Sequence, residues 1–352
     1  MNLMIFIKRT TLLFISFLTL SAYSLSTVPQ DTIKKATESP KTTPGNAQKP
    51  SSPGDQAKQK QPTIIRPGEN QVPGKDPDPM KQFSKKELSV SPSQPKKTTD
   101  PDELKAEELF KTGSRKGSQG DYNGAIEDLT QSLALHKDAN TYMKRSLAFI
   151  MMDNYPSAIE DLSEAIKLLP DNVKAYFTRG VCYYEINDFV KAEEDLSKSI
   201  EMDTKNALAY NYKAAIKYRE QDFQGALANY SEVIRIDSSN KQAYTNRGMI
   251  RHYLKDYRGA IEDYDKALKL DPYNATAYNN RGAAKMTLKD YNGALMDFDA
   301  ALQLKDDYAD AYGNRGAAKI NLGNKSGACD DWQKAFSLGM KGVTELIAKH
   351  CQ

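Results

Sequence analysis

The last two thirds of the chain alternate between apolar and polar positions with the period of an α-helix. From Ala243 to Leu254, and again from Arg258 to Leu270, apolar residues recur three and four positions apart, which is the spacing of one helix face. Asp256-Tyr257 separates the two stretches and Asp271-Pro272 follows the second. Because these residues favour turns and helix ends, the pattern predicts two helices joined by a tight turn.

This helical pair is repeated along the chain at a fixed interval. An alanine near the start of each second helix recurs every 34 residues, with one interval of 33 at the beginning. A tyrosine lies sixteen residues before six of these alanines, and Leu109 takes its place in the first copy. Seven copies in register predict an all-α protein built from seven helical hairpins. The alanines are Ala125, Ala158, Ala192, Ala226, Ala260, Ala294 and Ala328.

Two further positions of the repeat indicate how the helices pack. A glycine, alanine or serine lies four residues after the tyrosine position, where a small side chain lets two helices approach closely. Six first helices carry an arginine or lysine at one position, and the second helices carry an aspartate, except that Lys213 and Asn229 weaken both members together in the fourth copy. This joint change predicts an ion pair between the helices; an arginine ladder that binds phosphate is the alternative.

The residues around the turns resemble the tetratricopeptide repeat. Tyr-Asn-Asn-Arg-Gly at 278–282 and Asp-Tyr-Asn-Gly-Ala at 290–294 carry the resemblance, which extends over about 106–342. It implies a right-handed α-solenoid of about seven helix-turn-helix repeats, whose first helices line an inner groove that binds a peptide or helix of a partner. In the seventh copy, Lys325 replaces the aromatic residue that the other copies have at the turn before the second helix. Such a departure is tolerated in terminal repeats. The residues after 342 are expected to form a capping helix.

The expected domain organisation follows from these boundaries and from the composition of the first hundred residues. Residues 1–26 are predicted to be a signal peptide and 27–101 a disordered linker rich in Pro, Lys, Ser, Thr and Gln. Residues 102–342 are expected to hold the repeats, and 343–352 the capping helix. The repeats are expected at about 106–138, 139–172, 173–206, 207–240, 241–274, 275–308 and 309–342.

The first residues have the pattern of an export signal. Lys8 and Arg9 precede an uncharged apolar run from Thr10 to Leu20, which is about half as long as a membrane-spanning helix needs to be. Ala22-Tyr23-Ser24 fits a small-x-small cleavage site, and Ser24-Leu25-Ser26 is a second option. We therefore expect an exported protein, periplasmic or secreted; anchorage to the membrane by an uncleaved N-terminal segment is the alternative.

The linker and the repeats differ in composition and in charge. Thirteen of the 16 prolines lie between Pro29 and Pro101, in a segment too poor in apolar residues to offset its ordering entropy. This segment carries a net charge of +5 and the signal +2, and since the whole chain is +3, the remainder is −4. A negative repeat region argues against nucleic-acid binding.

Candidate chemistry is sparse along the sequence. Of the three histidines, His136 falls at the end of a second helix and His350 in the tail, and His252 has no acid or cysteine at a partnering interval. No phosphate-binding loop, metal-ligand spacing or nucleophile motif is present, so we expect no enzymatic activity, cofactor or metal. Cys329 and Cys351 lie eleven residues on either side of Met340, where the last turn is expected. They are therefore predicted to form a disulfide in an oxidising compartment; two unpaired thiols are the alternative.

The resemblance places side chains of the first helices in the inner groove, which is expected to be apolar near the linker and rich in amides further on. Asn246, Asn280 and Asn314 hold one repeat position and either grip the backbone of an extended peptide or pack the helices. The expected partner-binding residues are Met143, Leu147, Ile150, Phe177, Val181, Tyr184, Tyr218, Asn246, Met249, Asn280 and Asn314.

These features together predict a non-enzymatic scaffold or adaptor for protein–protein interaction. The expected partner is a protein or peptide held in the groove, with no nucleic acid, and with membrane contact only if the signal segment is uncleaved. A membrane-tethered structural spacer or assembly factor in the cell envelope is the alternative.

Overall fold

The computed structural model describes residues 100–352, which form fifteen α-helices and one 3-10 turn and contain no strand. The predicted signal peptide and almost all of the predicted linker lie outside the described residues. The helices are α1 (Pro101–Ser118), α2 (Tyr122–Leu135), α3 (Ala139–Met151), α4 (Tyr155–Leu168), α5 (Val173–Glu185), α6 (Phe189–Met202), α7 (Ala207–Arg219), α8 (Phe223–Ile236), α9 (Lys241–Tyr253), α10 (Tyr257–Leu270), α11 (Ala275–Thr287), α12 (Tyr291–Leu304), α13 (Ala309–Asn321), α14 (Lys325–Ser337) and α15 (Thr344–His350).

The helices pair into seven consecutive hairpins, from α1–α2 to α13–α14, and each hairpin packs on the next. The 3-10 turn Lys341–Val343 and α15 pack against α14 at the end of the array. The all-α solenoid of seven hairpins with a capping helix is therefore confirmed.

Each second helix begins at an aspartate or asparagine because that side chain caps the helix. In α10, the carboxylate of Asp256 accepts a hydrogen bond of 3.0 Å from the backbone N–H of Gly259. The residue before this cap is left-handed: Lys255 has a φ of 65°. The first and last hairpins place glycine there, with φ values of 87° at Gly120 and 83° at Gly323, where glycine avoids the steric cost.

The two helices of a hairpin lie close together because the small residue of the first helix faces a large side chain of the second. The repeated alanine is fully buried in all seven hairpins. A Cβ added to Gly248 would lie 2.8 Å from the Tyr264 ring, and one added to Gly316 would lie 2.6 Å from Trp332 Nε1. The indole N–H of Trp332 donates to the Gly313 carbonyl at 3.1 Å, so the ring fills the space that the missing side chain leaves.

The repeated arginine joins two hairpins at once. Arg179 of α5 donates from Nε and Nη2 to both carboxylate oxygens of Asp195 in α6, at 2.7 and 2.9 Å. Its third nitrogen, Nη1, donates to Ser163 Oγ in α4 of the preceding hairpin at 3.0 Å. The guanidinium lies over the ring of Tyr176, 5.8 Å from its centroid, and the hydrogen bond to Asp195 raises the pKa of Arg179. We call this arrangement the arginine staple.

The staple recurs in five of the seven hairpins, so the predicted ion pair between helices is confirmed. The other four pairs are Arg145–Asp161, Arg247–Asp263, Arg281–Asp297 and Arg315–Asp331. Because the arginines already hold buried carboxylates, the phosphate-binding alternative is not supported.

The fourth hairpin lacks the staple and uses other contacts. The side-chain amide of Asn229 donates to the Gly225 carbonyl of its own helix at 2.8 Å. One turn beyond Lys213, Lys217 of α7 forms an ion pair with Glu193 of α6 at 2.8 Å. This pair is more exposed than a staple, since both of its side chains are more than a fifth accessible.

The last hairpin is covered by the C-terminal segment. Val343 is fully buried, and Leu346 and Ile347 pack with it against Trp332. Cys329 of α14 and Cys351 are joined in a disulfide with their Cα atoms 5.5 Å apart. The remaining thiol, Cys182, is buried, and burial raises its pKa.

We expect Arg179→Met to lower the free energy of unfolding by about 2–4 kcal/mol, because it leaves the buried Asp195 carboxylate without a cation. Asp195 has no second cation within ion-pair distance in residues 100–352. Urea unfolding followed by circular dichroism measures the loss. The matched control is Arg235→Met, which removes an exposed pair with Glu232 in the same helix and should cost less than about 1 kcal/mol. Equal effects of the two variants would contradict the staple.

We expect Cys351→Ser to lower stability by about 3 kcal/mol, because the disulfide closes a loop with a sequence separation of 22. Unfolding in urea with and without reductant tests this: reductant should destabilise the wild type and leave the variant unchanged. Mass spectrometry of non-reduced peptides reports the link directly, and free thiols at both positions in protein purified without reductant would disprove it.

Candidate functional site

The structure buries seven of the eleven predicted partner-binding residues, so their assignment to an accessible groove was wrong. Each of these seven is at most 4% exposed, and none can contact a partner without opening the array. They are Leu147, Ile150, Phe177, Val181, Met249, Asn280 and Asn314.

The apolar members are buried because successive hairpins cover one another's first helices. Leu147, Ile150, Phe177 and Val181 belong to one core cluster that crosses hairpins two to four. The ring of Phe177 packs edge-to-face on that of Tyr212 in the next hairpin, with centroids 6.3 Å apart. The apolar stretch that predicted a binding surface is therefore the joint between hairpins.

The asparagines serve mainly internal contacts, which favours the helix-packing interpretation of the three. The side-chain amide of Asn314 donates to Asn279 Oδ1 at 3.1 Å, and both groups are buried. The amide of Asn246 donates to the hydroxyl of the fully buried Tyr230 at 3.3 Å. Asn246 alone among the three is partly exposed.

Four predicted residues remain accessible: Met143, Tyr184, Tyr218 and Asn246 are each partly exposed. The sulfur of Met143 accepts a hydrogen bond of 2.8 Å from the Asn172 side chain. The two tyrosines have a different environment, because aromatic side chains from neighbouring hairpins surround them.

Tyr184 and Tyr218 belong to a continuous group of side chains that crosses hairpins three to five, which we call the aromatic edge. Its members lie where first helices end and second helices begin. Tyr184 contacts Phe189 at 5.6 Å and Tyr218 contacts Phe223 at 5.8 Å between ring centroids. The edge consists of Tyr184, Phe189, Tyr218, Arg219, Phe223 and Tyr253.

Arg219 and Tyr253 join the rings of successive hairpins. The guanidinium of Arg219 in α7 lies 5.2 Å from the Phe189 ring centroid and 5.8 Å from that of Tyr184. Tyr253 of α9 stacks on Phe223 with centroids 5.4 Å apart and an interplanar angle of 4°. Burial and a hydrogen bond with Tyr253 raise the pKa of Tyr218. All five rings are partly exposed and Arg219 is exposed.

Sequence reasoning found only two members of the aromatic edge. It assigned none of the other members, Phe189, Arg219, Phe223 and Tyr253, to the groove. The detectable signal was an aromatic residue near the end of one helix followed by another at the start of the next, in three successive copies.

His252 lies beside the edge, in α9, and is partly buried. Its ring meets that of Tyr257 edge-on, 5.1 Å between centroids, and its Nδ1 has no hydrogen-bond partner within the described part of the chain. Burial lowers the pKa of His252 to about 4, so the ring is neutral at physiological pH.

Residues 100–352 contain no group of three or more His, Cys, Asp or Glu placed to hold a metal ion. None of their helices combines the length and apolar character of a membrane span.

Comparison with known proteins identifies the repeat. Three family models, each described as tetratricopeptide repeat, match residues 143–207, 242–274 and 275–308. A crystal structure of a tetratricopeptide repeat protein from Parabacteroides merdae has 16% identity and a TM-score of 0.51, covering 70% of this chain and 97% of that one. Pseudomonas aeruginosa PilF has 17% identity and a TM-score of 0.52, covering 60% and 97%. At these identities the likeness shows the fold alone, and no curated protein matches the sequence.

We expect the protein to lose stability on acidification because of His252. Its folded pKa of about 4 lies below its unfolded value near 6.5, so below pH 6.5 protons bind the unfolded chain first. Between pH 7 and pH 5 this amounts to about 2 kcal/mol. Urea unfolding of the wild type and of His252→Gln across this range measures the effect. The free energy of unfolding should fall by about 2 kcal/mol more in the wild type than in the variant. If the free energy of unfolding fell equally with pH in both proteins, the assignment of this pH dependence to His252 would be refuted.

Proposed function

Since the chain belongs to the tetratricopeptide repeat family, we propose that it is a non-enzymatic scaffold that binds an extended or helical segment of another protein. Proteins of this family bind protein or peptide partners. The observation that carries the proposal for this chain is the aromatic edge, because five partly exposed rings and an exposed arginine from three successive hairpins contact one another there.

The chemistry of the edge suits a peptide. Partly exposed tyrosine and phenylalanine rings offer large, rigid contact surfaces at little cost in side-chain entropy, and such residues dominate binding energies in protein interfaces. Arg219 is fixed over two rings and presents its remaining donors to a carbonyl or carboxylate. The proposed contact surface combines the aromatic edge with the other two accessible groove residues, Met143 and Asn246.

The proposed place of action is outside the cytoplasm. The charged start, the short apolar run and the small residues of the first 26 positions support export, with the uncleaved membrane anchor as the alternative. The predicted disulfide between Cys329 and Cys351 fits an oxidising compartment.

The test uses peptides selected from a random display library against the full chain. We expect the double variant Tyr184→Ala, Tyr218→Ala to weaken their binding at least tenfold, because it removes two central rings of the edge. Fluorescence anisotropy of labelled peptides measures the dissociation constant, and circular dichroism verifies the fold. Phe177→Ala is unsuitable, because this ring is 3% exposed and its loss would destabilise the core.

The matched control is Tyr273→Ala with Met296→Ala, which removes two large side chains that are 80% and 73% exposed and lie away from the edge in sequence. These substitutions should leave binding unchanged. Equal loss of binding in the two double variants, or none in either, would overturn the assignment of the site.

A further inference from the structure

The C-terminal cap occupies the place of an eighth first helix. Leu346 lies 34 residues after Tyr312, and Lys349 lies 34 residues after Arg315, so both keep the register of the repeated tyrosine and arginine. Helix α15 packs against α14, as each first helix packs against the second helix of the hairpin before it. The cap therefore lies on the face through which every other hairpin joins its successor. We call it the terminal joint face, and its main residues are Tyr312, Ile320, Trp332, Gln333, Ala335 and Phe336.

The cap covers the apolar part of this face less well than a first helix does. Leu302 of the sixth hairpin is 7% exposed, because it packs with Tyr308 and Tyr312 at the next joint. Phe336 holds the same repeat position in the seventh hairpin and is 51% exposed. The cap, which carries Leu346 in place of the tyrosine, leaves this apolar position half uncovered.

The polar contact of an internal joint is also missing at the cap. Arg315 donates from Nη1 to Asp299 of the sixth hairpin at 2.7 Å. The residues in register at the cap are Lys349 and Gln333. Both are exposed, and neither side chain forms a hydrogen bond or an ion pair within residues 100–352. The cap thus lacks the contact by which the arginine staple fastens one hairpin to the preceding one.

The disulfide is the main restraint that keeps the cap in place. Helix α15 has seven residues, whereas the first helices of hairpins two to seven have 13 each. None of its residues is fully buried, and no side chain caps its start. A helix so short is unstable on its own. Its apolar contacts with Trp332 come from Leu346, Ile347 and the preceding Val343.

We propose that the Cys329–Cys351 disulfide is a redox latch on the terminal joint face. Its reduction by a dithiol releases the cap and opens the face to a helix of another protein that carries an aromatic residue and an arginine three positions apart. That is the spacing of Tyr312 and Arg315, and hairpins two to seven all dock through a tyrosine and a cation at these positions. A second copy of this chain fits less well, because its α1 has Leu109 and Thr112 there.

The opening step is a thiol–disulfide exchange. Both cysteines are partly exposed, so a thiolate of the dithiol can attack either sulfur and form a mixed disulfide. The second thiol of the reagent then displaces the protein sulfur. The dithiol is oxidised to its own disulfide, and Cys329 and Cys351 each gain one electron and one proton.

The first test reports release of the cap through Trp332, the single tryptophan of the chain, which is fully buried beneath it. We expect dithiothreitol to raise the iodide quenching constant of the tryptophan fluorescence in the full chain about twofold, because local opening exposes the ring. Cys351→Ser should show the same increase without reductant. Circular dichroism verifies that the array stays folded.

The matched variant rebuilds the contacts of a first helix on the cap. Leu346→Tyr with Lys349→Arg restores the residues of the internal joints, so the cap should stay in place after reduction. Quenching should then increase less than in the wild type. Quenching that reduction leaves unchanged in the wild type, or raises equally in the two proteins, would overturn the proposal.

The second test measures docking with a labelled synthetic peptide that has the sequence of α13, residues 309–321. Fluorescence anisotropy should show about tenfold tighter binding to the reduced chain than to the oxidised chain, because the fastened cap excludes the peptide. The control peptide with Tyr312→Ala and Arg315→Ala should not distinguish the two states. Gln333→Ala with Phe336→Ala in the reduced chain should weaken binding of the first peptide, since this removes two exposed contacts of the face.

Equal affinity of the α13 peptide for the oxidised and the reduced chain would overturn the proposal. Dimers that form on reduction and increase with protein concentration in analytical ultracentrifugation would overturn it in favour of a second copy. The proposed function is judged separately, because the aromatic edge lies on hairpins three to five. Tyr184→Ala with Tyr218→Ala should leave binding of the α13 peptide unchanged, and library-selected peptides should bind the edge of the oxidised chain.

Discussion

The array depends on the arginine staple more than on any other polar contact. Each arginine of a staple donates two hydrogen bonds to a buried aspartate. Its remaining nitrogen donates to a side chain of the preceding hairpin. A buried carboxylate without such a partner would strongly destabilise the fold. The repeated tyrosine packs against the guanidinium, and the small residue of each first helix allows the approach that the bond lengths require. The repeat pattern in the sequence therefore reflects one packing geometry, that of the helices around the staple.

The fold was predictable because the same packing positions recur in all seven copies of the repeat. The position of Ala192 and the joint change of Lys213 and Asn229 could be interpreted without coordinates, since both reflect contacts inside a hairpin or across one joint. Accessibility was not predictable in the same way. Phe177 and Tyr184 lie two turns apart on one helix, yet the first is buried by the next hairpin and the second remains partly exposed. Which of two such residues is covered depends on the angle between hairpins, which sequence periodicity does not encode.

The amide-rich half of the array also shows that the accessibility of a side chain does not follow from the repeat pattern. Asn279, Asn280 and Asn314 look like polar residues awaiting a ligand, and they turn out to be buried polar residues in an alanine-rich interior. The side-chain amide of Asn314 donates to Asn279 Oδ1 across two neighbouring first helices, and that of Asn279 donates to Asn280 Oδ1 within α11. Polar contacts of this kind fix the register of helices that carry few large apolar side chains, because an unpaired amide in the interior is costly.

The C-terminal cap has a consequence for assembly. Every internal hairpin offers its successor a face of the same design, so a stack of hairpins has no intrinsic end. On the seventh hairpin this face is covered by Val343, Leu346 and Ile347 and fastened by a covalent bond. A second copy of the chain therefore finds no open face on which to continue the stack. Head-to-tail addition of a second copy at the seventh hairpin would therefore require this covalently fastened cap to detach first.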